Sequence, residues 1–459
     1  MERGSDSEQV QAEYRGGCGV DSIEFNNLEA SEIPEKAYIL ENGEEKDFPQ
    51  DPRAIIPGNQ GLRNLSTSEV VDHLVEMLEA FADRLSQEEN VEELVRETGE
   101  SREMVLYDIE SIREMANPEM LSDWMMHGQT DLSKYLDSWV EAQNYREAAT
   151  PLGGGVSINA GHNVAAAVLP EIWRVLSRNS IIHKMPSGDK HTLEVLHQVY
   201  NEYDNPVANT CRIAYWPGGS EQLEKALFSL DFVMAWGDDK TINQIRKKIS
   251  PTTRFIPFHF EFGAYLVDKE TQQNYSQELL QQIAKDFSWG DQLLCFSPLI
   301  MIIEQTGKTE AFLQDLAETL EKHAEKYPPG QIPEKDKINI NRTKKIARDT
   351  DRLISDWENQ TTVTTKQGLE KSDLTEFHSY RFVNAHKVEN LEKGLKTVGS
   401  IRNLQEFILA VKNQEEVKKK IMKTQAKRIT SPGNAQPQKP IPWDGKHPIN
   451  ELLQWITDE

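Results

Sequence analysis

The stretch ATPLGGGVSINAGHNVAAAVLPEIWRVL at residues 149–176, followed by NSIIHKMPSGD at residues 179–189, decides the fold of this chain. The first part is typical of a glycine-rich turn, a short apolar strand, a loop and a helix. The second part is typical of another strand that ends in a polar loop. Strands that alternate with helices in this way predict an α/β domain.

Further apolar strands that end at glycine or proline continue the pattern. They are predicted from TCRIAYWPGG at residues 210–219, from LDFVMAWGDD at residues 230–239, and from TTRFIPFHF and FGAYLVD within residues 252–268. The alternation favours a doubly wound sheet, which binds its ligand at the carboxyl ends of the strands. No G-x-G-x-x-G occurs here, because GGG at residues 153–155 has a different spacing. The ordinary dinucleotide fingerprint is therefore absent.

The residues that precede this region are predicted to be helical. Ser66 and Glu69 have the spacing of a capping box. Behind them, apolar residues fall on one helical face: Val71, Leu74, Leu78, Phe81 and Leu85. Two more helices within residues 91–115 are joined at Gly99 and superficially resemble a helix-turn-helix. Because this region is acidic, we favour two packed helices over a DNA-binding motif.

Composition excludes several classes of function. The 459 residues include 51 Lys and Arg against 75 Asp and Glu, which gives a formal charge of −24. This charge argues against nucleic-acid binding and against docking on an anionic membrane. The first 20 or so residues have no apolar core, so we expect a disordered tail and no secretory signal. With no run of 18 apolar residues, we expect a cytoplasmic protein that has no membrane span.

The three cysteines are too few and too irregularly spaced for a disulfide framework or a zinc site: Cys18, Cys211 and Cys295. Cys295 follows the polar turn SWGDQ at residues 288–292 and precedes the apolar strand LIMII at residues 299–303. A thiolate at the mouth of a strand could attack an acyl carbonyl and hold the acyl group as a thioester. The alternative is a buried cysteine that packs as a small apolar side chain.

Three other positions carry chemically useful side chains, each with a structural alternative. Asn163 lies in a loop before a helix, where it could donate to an oxyanion or cap the helix. Lys184 ends a strand and could hold a ribose or phosphate with the help of Ser187, or it could reach solvent. Apolar neighbours in FHFEFG would raise the pKa of Glu261 and make it a base near neutral pH. Otherwise Glu261 is a half-buried ion-pair partner.

Two glycines are predicted to border a cofactor. Gly218 and Gly237 each follow a predicted strand, at the ends of residues 210–215 and 230–236. Because ligands bind at the carboxyl ends of strands in a doubly wound sheet, both glycines belong to the expected cofactor site.

The order of these residues resembles the aldehyde dehydrogenase superfamily, in which a Glu precedes the nucleophilic Cys by about the 34 positions that separate Glu261 from Cys295. A narrower resemblance is to the LuxC-type acyl-CoA reductases, which include the fatty acid reductase of bacterial luminescence. DQLLCFSP at residues 291–298 is similar to that family's D-Q-x-x-C-x-S-P segment. PLGGGVSINAGHNV, AKRITSPG and PWDGKHPINELLQWITDE also resemble family segments, so the resemblance spans about residues 63–459.

The resemblance implies an aldehyde dehydrogenase-like fold, with two Rossmann-like lobes for cofactor and catalysis and a helical N-terminal region. It implies that Cys295 accepts the acyl group and that Asn163, with the Cys295 backbone N–H, stabilises the oxyanion. Lys184 and Ser187 would hold the ribose and 2′ region of NADPH. The implied activity is NADPH-dependent reduction of a long-chain acyl-CoA, or another acyl thioester, to the fatty aldehyde without a metal. The implied partners are further copies of the chain in a homo-oligomer and an acyl-protein synthetase subunit.

Two other functions stay open at this point. An aldehyde dehydrogenase that works in the oxidative direction would need Glu261 as the base for deacylation by water. A non-catalytic acyl-binding or scaffold homologue would have a buried, unreactive Cys295 and a Lys184 that points away from any cleft.

The chain is predicted to divide into five parts. These are an acidic, partly disordered segment (1–62), a helical region (63–147), an NADP-binding domain (148–268), a catalytic domain with Cys295 (269–425) and a C-terminal arm (426–459). Residues 328–350 are predicted to form a polar surface excursion. The C-terminal arm is predicted to end in a short amphipathic helix.

Overall fold

The computed structural model describes residues 27–161, 163–203, 205–357, 360–375, 377–437 and 439–459. Cys18 and the predicted disordered tail lie outside these residues. None of the helices in the described ranges is long and apolar enough to cross a lipid bilayer.

Nineteen strands are found in the described part of the chain. In chain order they are β1 (Tyr38–Glu41), β2 (Glu44–Lys46), β3 (Met126–His127), β4 (Thr130–Asp131), β5 (Val140–Glu141), β6 (Arg146–Pro151), β7 (Gly154–Ile158), β8 (Ser180–Lys184), β9 (Cys211–Tyr215), β10 (Phe232–Trp236), β11 (Arg254–Phe258), β12 (Phe262–Val267), β13 (Pro298–Glu304), β14 (Leu353–Trp357), β15 (Thr361–Gln367), β16 (Phe382–Val388), β17 (Leu404–Ala410), β18 (Arg428–Thr430) and β19 (Leu453–Asp458).

Eighteen α-helices are found in the same ranges. They are α1 (Gln60–Arg63), α2 (Thr67–Leu85), α3 (Glu88–Thr98), α4 (Arg102–Met115), α5 (Pro118–Asp123), α6 (Leu132–Asp137), α7 (Leu169–Leu176), α8 (His191–Glu202), α9 (Pro206–Asn209), α10 (Glu221–Leu227), α11 (Asp239–Arg246), α12 (Lys269–Gln273), α13 (Gln277–Ser288), α14 (Thr309–Lys326), α15 (Glu334–Asp349), α16 (Leu391–Val398), α17 (Gln414–Ile421) and α18 (Pro448–Glu451).

Two seven-stranded sheets form the centres of two lobes. The first has the order β11-β10-β7-β8-β9-β1-β2, and its first five strands are parallel. The second has the order β14-β15-β16-β13-β12-β17-β18 and is parallel except for β14. Parallel strands need crossover connections, which here are mostly helices. The predicted α/β fold class is therefore confirmed.

The helical region packs against the first sheet. Ser66 and Glu69 form the predicted capping box at the start of α2, and the predicted apolar face of α2 is buried. Helices α3 and α4 meet at Gly99, whose φ of +75° is in the left-handed region that favours glycine. Apolar side chains of α2, α4, α7 and α8 share one core, which places α4 close to the ligand edge of the first sheet.

The change of lobe falls between β11 and β12. The two predicted strands within residues 252–268 belong to different sheets, because β11 pairs with β10 whereas β12 pairs with β13 and β17. The last strand of the predicted NADP-binding domain thus lies in the second sheet. The predicted N-terminal segment also contributes to a lobe, since β1 and β2 form a hairpin that pairs antiparallel with β9.

One helix was not predicted from the sequence, and one prediction of secondary structure was wrong. Residues 328–350 contain the regular helix α15, which buries Ile340 and Ala347 and forms an ion pair from Lys344 to Asp356 over 2.7 Å. The chain also ends in a strand, because only Pro448–Glu451 is helical and β19 pairs antiparallel with β6 along its length. Pairing with a strand some 300 positions away satisfies its backbone N–H and C=O groups, and no local periodicity reports that pairing.

Candidate active site

A cavity of about 520 Å³ opens where the carboxyl ends of the first sheet face the start of β13. Loops that follow β7, β10 and β11 line it from the first lobe, as expected for ligands of open α/β sheets. Helix α4, the segment before β13 and the C-terminal arm complete the wall. Cys295, Asn163, Glu261 and Gly237 all line this cavity. The structure therefore brings together four of the seven residues predicted from sequence.

Cys295 lies in a turn that the chain holds in an uncommon backbone conformation. Gly290, Asp291 and Gln292 have φ values of +48°, +46° and +61°, a left-handed run that is costly for the two residues other than glycine. Asp291 offsets this cost through a buried ion pair with Arg381 over 2.8 Å. Gln292 donates from Nε2 to the Pro298 carbonyl at 2.7 Å.

These contacts explain the Asp-Gln pair of the nucleophile segment. Gln292 also accepts the Phe382 backbone N–H at 2.7 Å, so both ends of its amide are fixed by the second sheet. The turn is thereby anchored to β13 and β16, and Cys295 is partly exposed at the cavity. Sequence reasoning identified the segment but missed the anchoring role, because Arg381 is distant in the chain.

The thiol of Cys295 has an acidic neighbourhood. Burial raises its pKa well above the ordinary value, and the carboxylates of Asp444, Glu261 and Glu406 raise it further. The free protein at neutral pH therefore carries a protonated thiol. A nucleophilic role requires that a base accept the thiol proton, since the thiolate is the attacking species.

Glu261 is a candidate for such an acceptor, because it lines the same cavity as Cys295. It is buried at 1% exposure between β11 and β12, and its Oε1 atom pairs with Lys427. Its Oε2 atom has no hydrogen-bond partner among the described residues. Burial raises the pKa of Glu261, and Lys427 opposes that effect. Both sequence interpretations, half-buried ion-pair partner and potential base, are thus compatible with its surroundings.

Asn163 has a fixed orientation. Its Oδ1 atom accepts the Ala166 backbone N–H at 2.8 Å, and its Nδ2 atom donates to the carboxylate of Asp108 on α4. An amide nitrogen has two hydrogens, and the Asn163 side chain also forms a hydrogen bond with the buried carboxyl group of Glu100. The loop position predicted from sequence is confirmed, whereas the partner Asp108 was missed. Nothing local in the helix α4 sequence sets Asp108 apart from the other acidic residues.

The predicted cofactor residues occupy the ligand edge of the first sheet. Lys184 ends β8 at 7% exposure, and its Nζ atom lies 5.5 Å from the Trp216 ring centroid. Burial lowers its pKa, and Glu224 opposes that effect. Ser187 and Gly218 are exposed in the loops after β8 and β9. These three residues do not belong to the cavity wall around Cys295.

Gly237 is the one predicted glycine that packing requires. A Cβ atom there would lie 2.9 Å from Thr241 Cγ2, on the cavity side of β10. A Cβ atom at Gly218 would meet nothing within 4 Å. The loop after β8 does approach the cavity, because Pro186 lies 2.9 Å from where a Cβ of Gly161 would be. A side chain at position 161 would therefore collide with Pro186, so the close approach of the two loops requires glycine there.

The described residues contain one group with the composition of a metal site: Glu171, His183 and Cys211. The Glu171 carboxylate pairs with Arg174 and accepts from Tyr200, and His183 Nε2 lies 2.8 Å from it. Its oxygens are therefore already engaged by protein groups. We assign this cluster to the support of the first sheet.

Comparison with known proteins identifies the family. A family model described as "Acyl-CoA reductase (LuxC)" matches residues 62–455. The chain belongs to the LuxC family. The chain is 24% identical over 230 residues to the long-chain acyl-protein thioester reductase of Aliivibrio fischeri. This match covers 49% of the chain and 44% of that protein. The chain is 22% identical over 375 residues to the Photobacterium phosphoreum protein of the same name, covering 78% and 75%. The first of these matches covers less than half of the relative's length.

Solved structures show the fold of the LuxC chain. An aldehyde dehydrogenase from Bartonella henselae has a TM-score of 0.65 at 13% identity, covering 87% of this chain and 88% of that one. An NADP-dependent enzyme from E. coli has a TM-score of 0.65 at 10% identity, covering 92% and 94%. The predicted aldehyde dehydrogenase-like fold is therefore confirmed.

Proposed function

We propose that this protein reduces a long-chain fatty acyl thioester to the fatty aldehyde with NADPH, through an acyl group held on Cys295. The observation that carries the proposal is the partly exposed Cys295 thiol on an aromatic-rich cavity of about 520 Å³. Trp236, Phe258 and Trp443 line the same cavity, so an apolar acyl chain would bury against them. The names of the LuxC relatives support the same substrate class.

The first step assigns a role to three side chains. The thiol proton of Cys295 passes to the free Oε2 atom of Glu261, and the sulfur attacks the carbonyl carbon of the bound thioester. The second Nδ2 hydrogen of Asn163 and the Cys295 backbone N–H stabilise the oxyanion that forms. The carrier thiol then leaves, taking a proton, and the acyl group is held as a thioester of Cys295.

The first lobe fits a nicotinamide cofactor. The Lys184 amine is buried over the Trp216 ring, and its Nζ atom donates to the Met185 carbonyl over a long distance of 3.4 Å. We assign Lys184 and Ser187 to the cofactor ribose and its 2′ phosphate, and Gly218 and Gly237 to the border of that site. When bound, NADPH would supply the hydride that releases the acyl group as an aldehyde.

We also infer the remaining properties from the family. The substrate carrier is coenzyme A or a protein thiol, and the protein works in the cytoplasm as a homo-oligomer with an acyl-protein synthetase as partner. The first lobe, whose strands lie within residues 38–258, binds the cofactor, and the second, whose strands lie within residues 262–430, carries the nucleophile.

The test is mass spectrometry of the intact protein after mixing with a long-chain acyl-CoA, with and without NADPH. The expected result is one acyl adduct, absent from Cys295→Ala and retained in the control Cys211→Ala, whose thiol is buried in the first sheet. NADPH should discharge the adduct as aldehyde appears. The absence of any adduct across chain lengths, with a thiol that resists iodoacetamide even at the high pH where Cys295 should be alkylated, would favour a non-catalytic acyl-binding subunit.

One observation favours a second function, oxidation of aldehydes. A buried carboxylate with a raised pKa beside Cys295 is the group that would activate water for hydrolysis of the acyl intermediate. Incubation of the wild-type protein with a long-chain aldehyde and NADP⁺ distinguishes the two. Release of fatty acid that depends on Glu261, at a rate above acyl-CoA reduction, would identify the oxidative enzyme.

A further inference from the structure

The Asn163 loop is held by a carboxylate from the helical region. Asp108 on α4 is only 2% exposed, and it accepts from the Nδ2 atom of Asn163. It also receives backbone N–H groups of Val164 and Ala165. Three donors from one short loop thus converge on a single buried carboxylate. Hydrogen bonds to a charged acceptor are stronger than neutral ones, so this contact fixes the loop.

The same helix also contacts the nucleophile segment. Tyr107, the neighbour of Asp108, packs its ring against Trp289, with centroids 3.5 Å apart. Trp289 begins the short 3-10 turn Trp289–Gln292 that precedes Cys295. Tyr107, Asp108, Asn163 and Cys295 all belong to the wall of one cavity. Helix α4 therefore contacts both the Asn163 loop and the segment that precedes Cys295, the two segments whose relative position matters for acyl transfer.

We propose that Asp108 is a positioning residue, which holds the Asn163 amide at the cavity so that its second hydrogen can pass from Glu100 to an oxyanion formed at Cys295. Since the Asn163 Oδ1 atom is fixed by Ala166 and one Nδ2 hydrogen is fixed by Asp108, the direction of the remaining hydrogen is determined. An oxyanion donor is effective only when its geometry is set before the reaction. This inference rests on the proposed function.

Glu100 is a potential competitor for that hydrogen. It is buried beside Asp108, within hydrogen-bonding reach of the Asn163 amide, and its Oε2 atom has no partner among the described residues. Burial raises the pKa of Glu100, and the charge of Asp108 raises it further. A protonated carboxyl group is a weaker acceptor than a carboxylate. Glu100 is therefore the weaker of the two carboxyl acceptors of the Asn163 amide, and an oxyanion at Cys295 would replace it.

The experiment is a double-mutant cycle on the acylation step. Wild-type protein, Asp108→Asn, Asn163→Ala and the double variant are mixed with saturating long-chain acyl-CoA without NADPH. Acylation is followed by acid quench and intact mass, and rates are expressed per folded molecule from circular dichroism. We expect Asn163→Ala to acylate about 10²-fold more slowly, the size of effect of losing one oxyanion donor. We expect Asp108→Asn to be about 10-fold slower, with an unchanged concentration for half-maximal acylation.

The double variant decides between positioning and a separate role. If Asp108 acts through Asn163, the double variant matches Asn163→Ala, because there is no donor left to misplace. If the decreases in acylation rate of the two single variants multiply in the double variant, the two residues act independently and the proposal is overturned. So would an Asp108→Asn rate within twofold of wild type.

Two controls separate structural damage from positioning. Asp268→Asn removes another buried carboxylate that accepts backbone N–H groups, from Thr271 at 2.7 Å and Lys412 at 2.6 Å, outside the cavity wall. It should lose stability but acylate at the wild-type rate. Asp108→Glu retains the charge but displaces it, so it should also be slow if geometry matters, and a wild-type rate would overturn the proposal. A wild-type protein that is never acylated would instead contradict the proposed function itself.

Discussion

The indole of Trp443 stands edge-on to the ring of Phe296, with centroids 4.8 Å apart at an interplanar angle of 82°. Phe296 directly follows Cys295, and Trp443 comes from the C-terminal arm. Trp443 also contacts Trp173 of the first lobe at 5.8 Å. The arm thus closes the cavity beside the thiol with an aromatic side chain from the far end of the chain.

Trp443→Ala should change chain-length selectivity. Removing the indole enlarges the cavity beside Cys295. The kcat/KM for bulkier and longer acyl chains should therefore increase relative to that for short ones. Because the indole is only half-buried, the free energy of unfolding should decrease by less than the loss of about 3–5 kcal/mol that is typical of a fully buried Trp. The measurement is kcat/KM over a series of acyl-CoA chain lengths, with Trp443→Phe as the milder variant. An unaltered ranking would show that the acyl chain lies elsewhere.

Alkylation of Cys295 should need high pH. Because burial and three carboxylates raise the pKa of its thiol, the iodoacetamide rate should still increase above pH 8.5, the ordinary thiol value. Asp444→Asn removes the largest of the charge contributions, so alkylation at pH 8 should be faster than in wild type. Peptide mapping assigns the label to Cys295. A rate that levels off near neutral pH would contradict the acidic environment.

Stability should fall as pH rises from about 6.5 to 8, above the range in which buried histidines with a lowered pKa act in the opposite sense. Burial raises the pKa of Asp108 and Asp444 to about 7 and that of Asp286 to about 6. In this window the folded protein binds more protons than the unfolded chain, so the free energy of unfolding decreases with pH. Denaturant titrations at several pH values measure the slope, which Asp444→Asn should make shallower. A stability that increases over this range would refute the assignment.

Lys184→Met should weaken cofactor use without slowing acylation. The amine belongs to the first lobe, away from the cavity wall, so its loss should raise KM for NADPH by about 10-fold or more, the equivalent of one charge-assisted hydrogen bond. The acyl adduct should still form at the wild-type rate. Lys225→Met is a matched control, because Lys225 is exposed and forms an ion pair with Glu221 over 2.8 Å. Equal effects of both substitutions would exclude a specific role for Lys184.

Local patterns predicted much of the fold. The strands at residues 180–184, 211–215 and 232–236, the capping box at Ser66 and the turn at Gly99 all follow from the sequence, because each depends on neighbours in the chain. The strand that ends the chain could not be predicted in this way. Its identity depends on pairing with β6, which is distant in sequence.

The order of the amino acids was enough to predict the α/β class, the family resemblance and the position of Cys295 before an apolar strand. Only the tertiary structure decided which charges surround that thiol and what holds its partners. Asp108 on Asn163, Arg381 on Asp291 and Asp444 near Cys295 are contacts between segments far apart in the chain. A pKa or a hydrogen-bond direction depends on distance and burial, and both are properties of the folded chain rather than of the order of its residues.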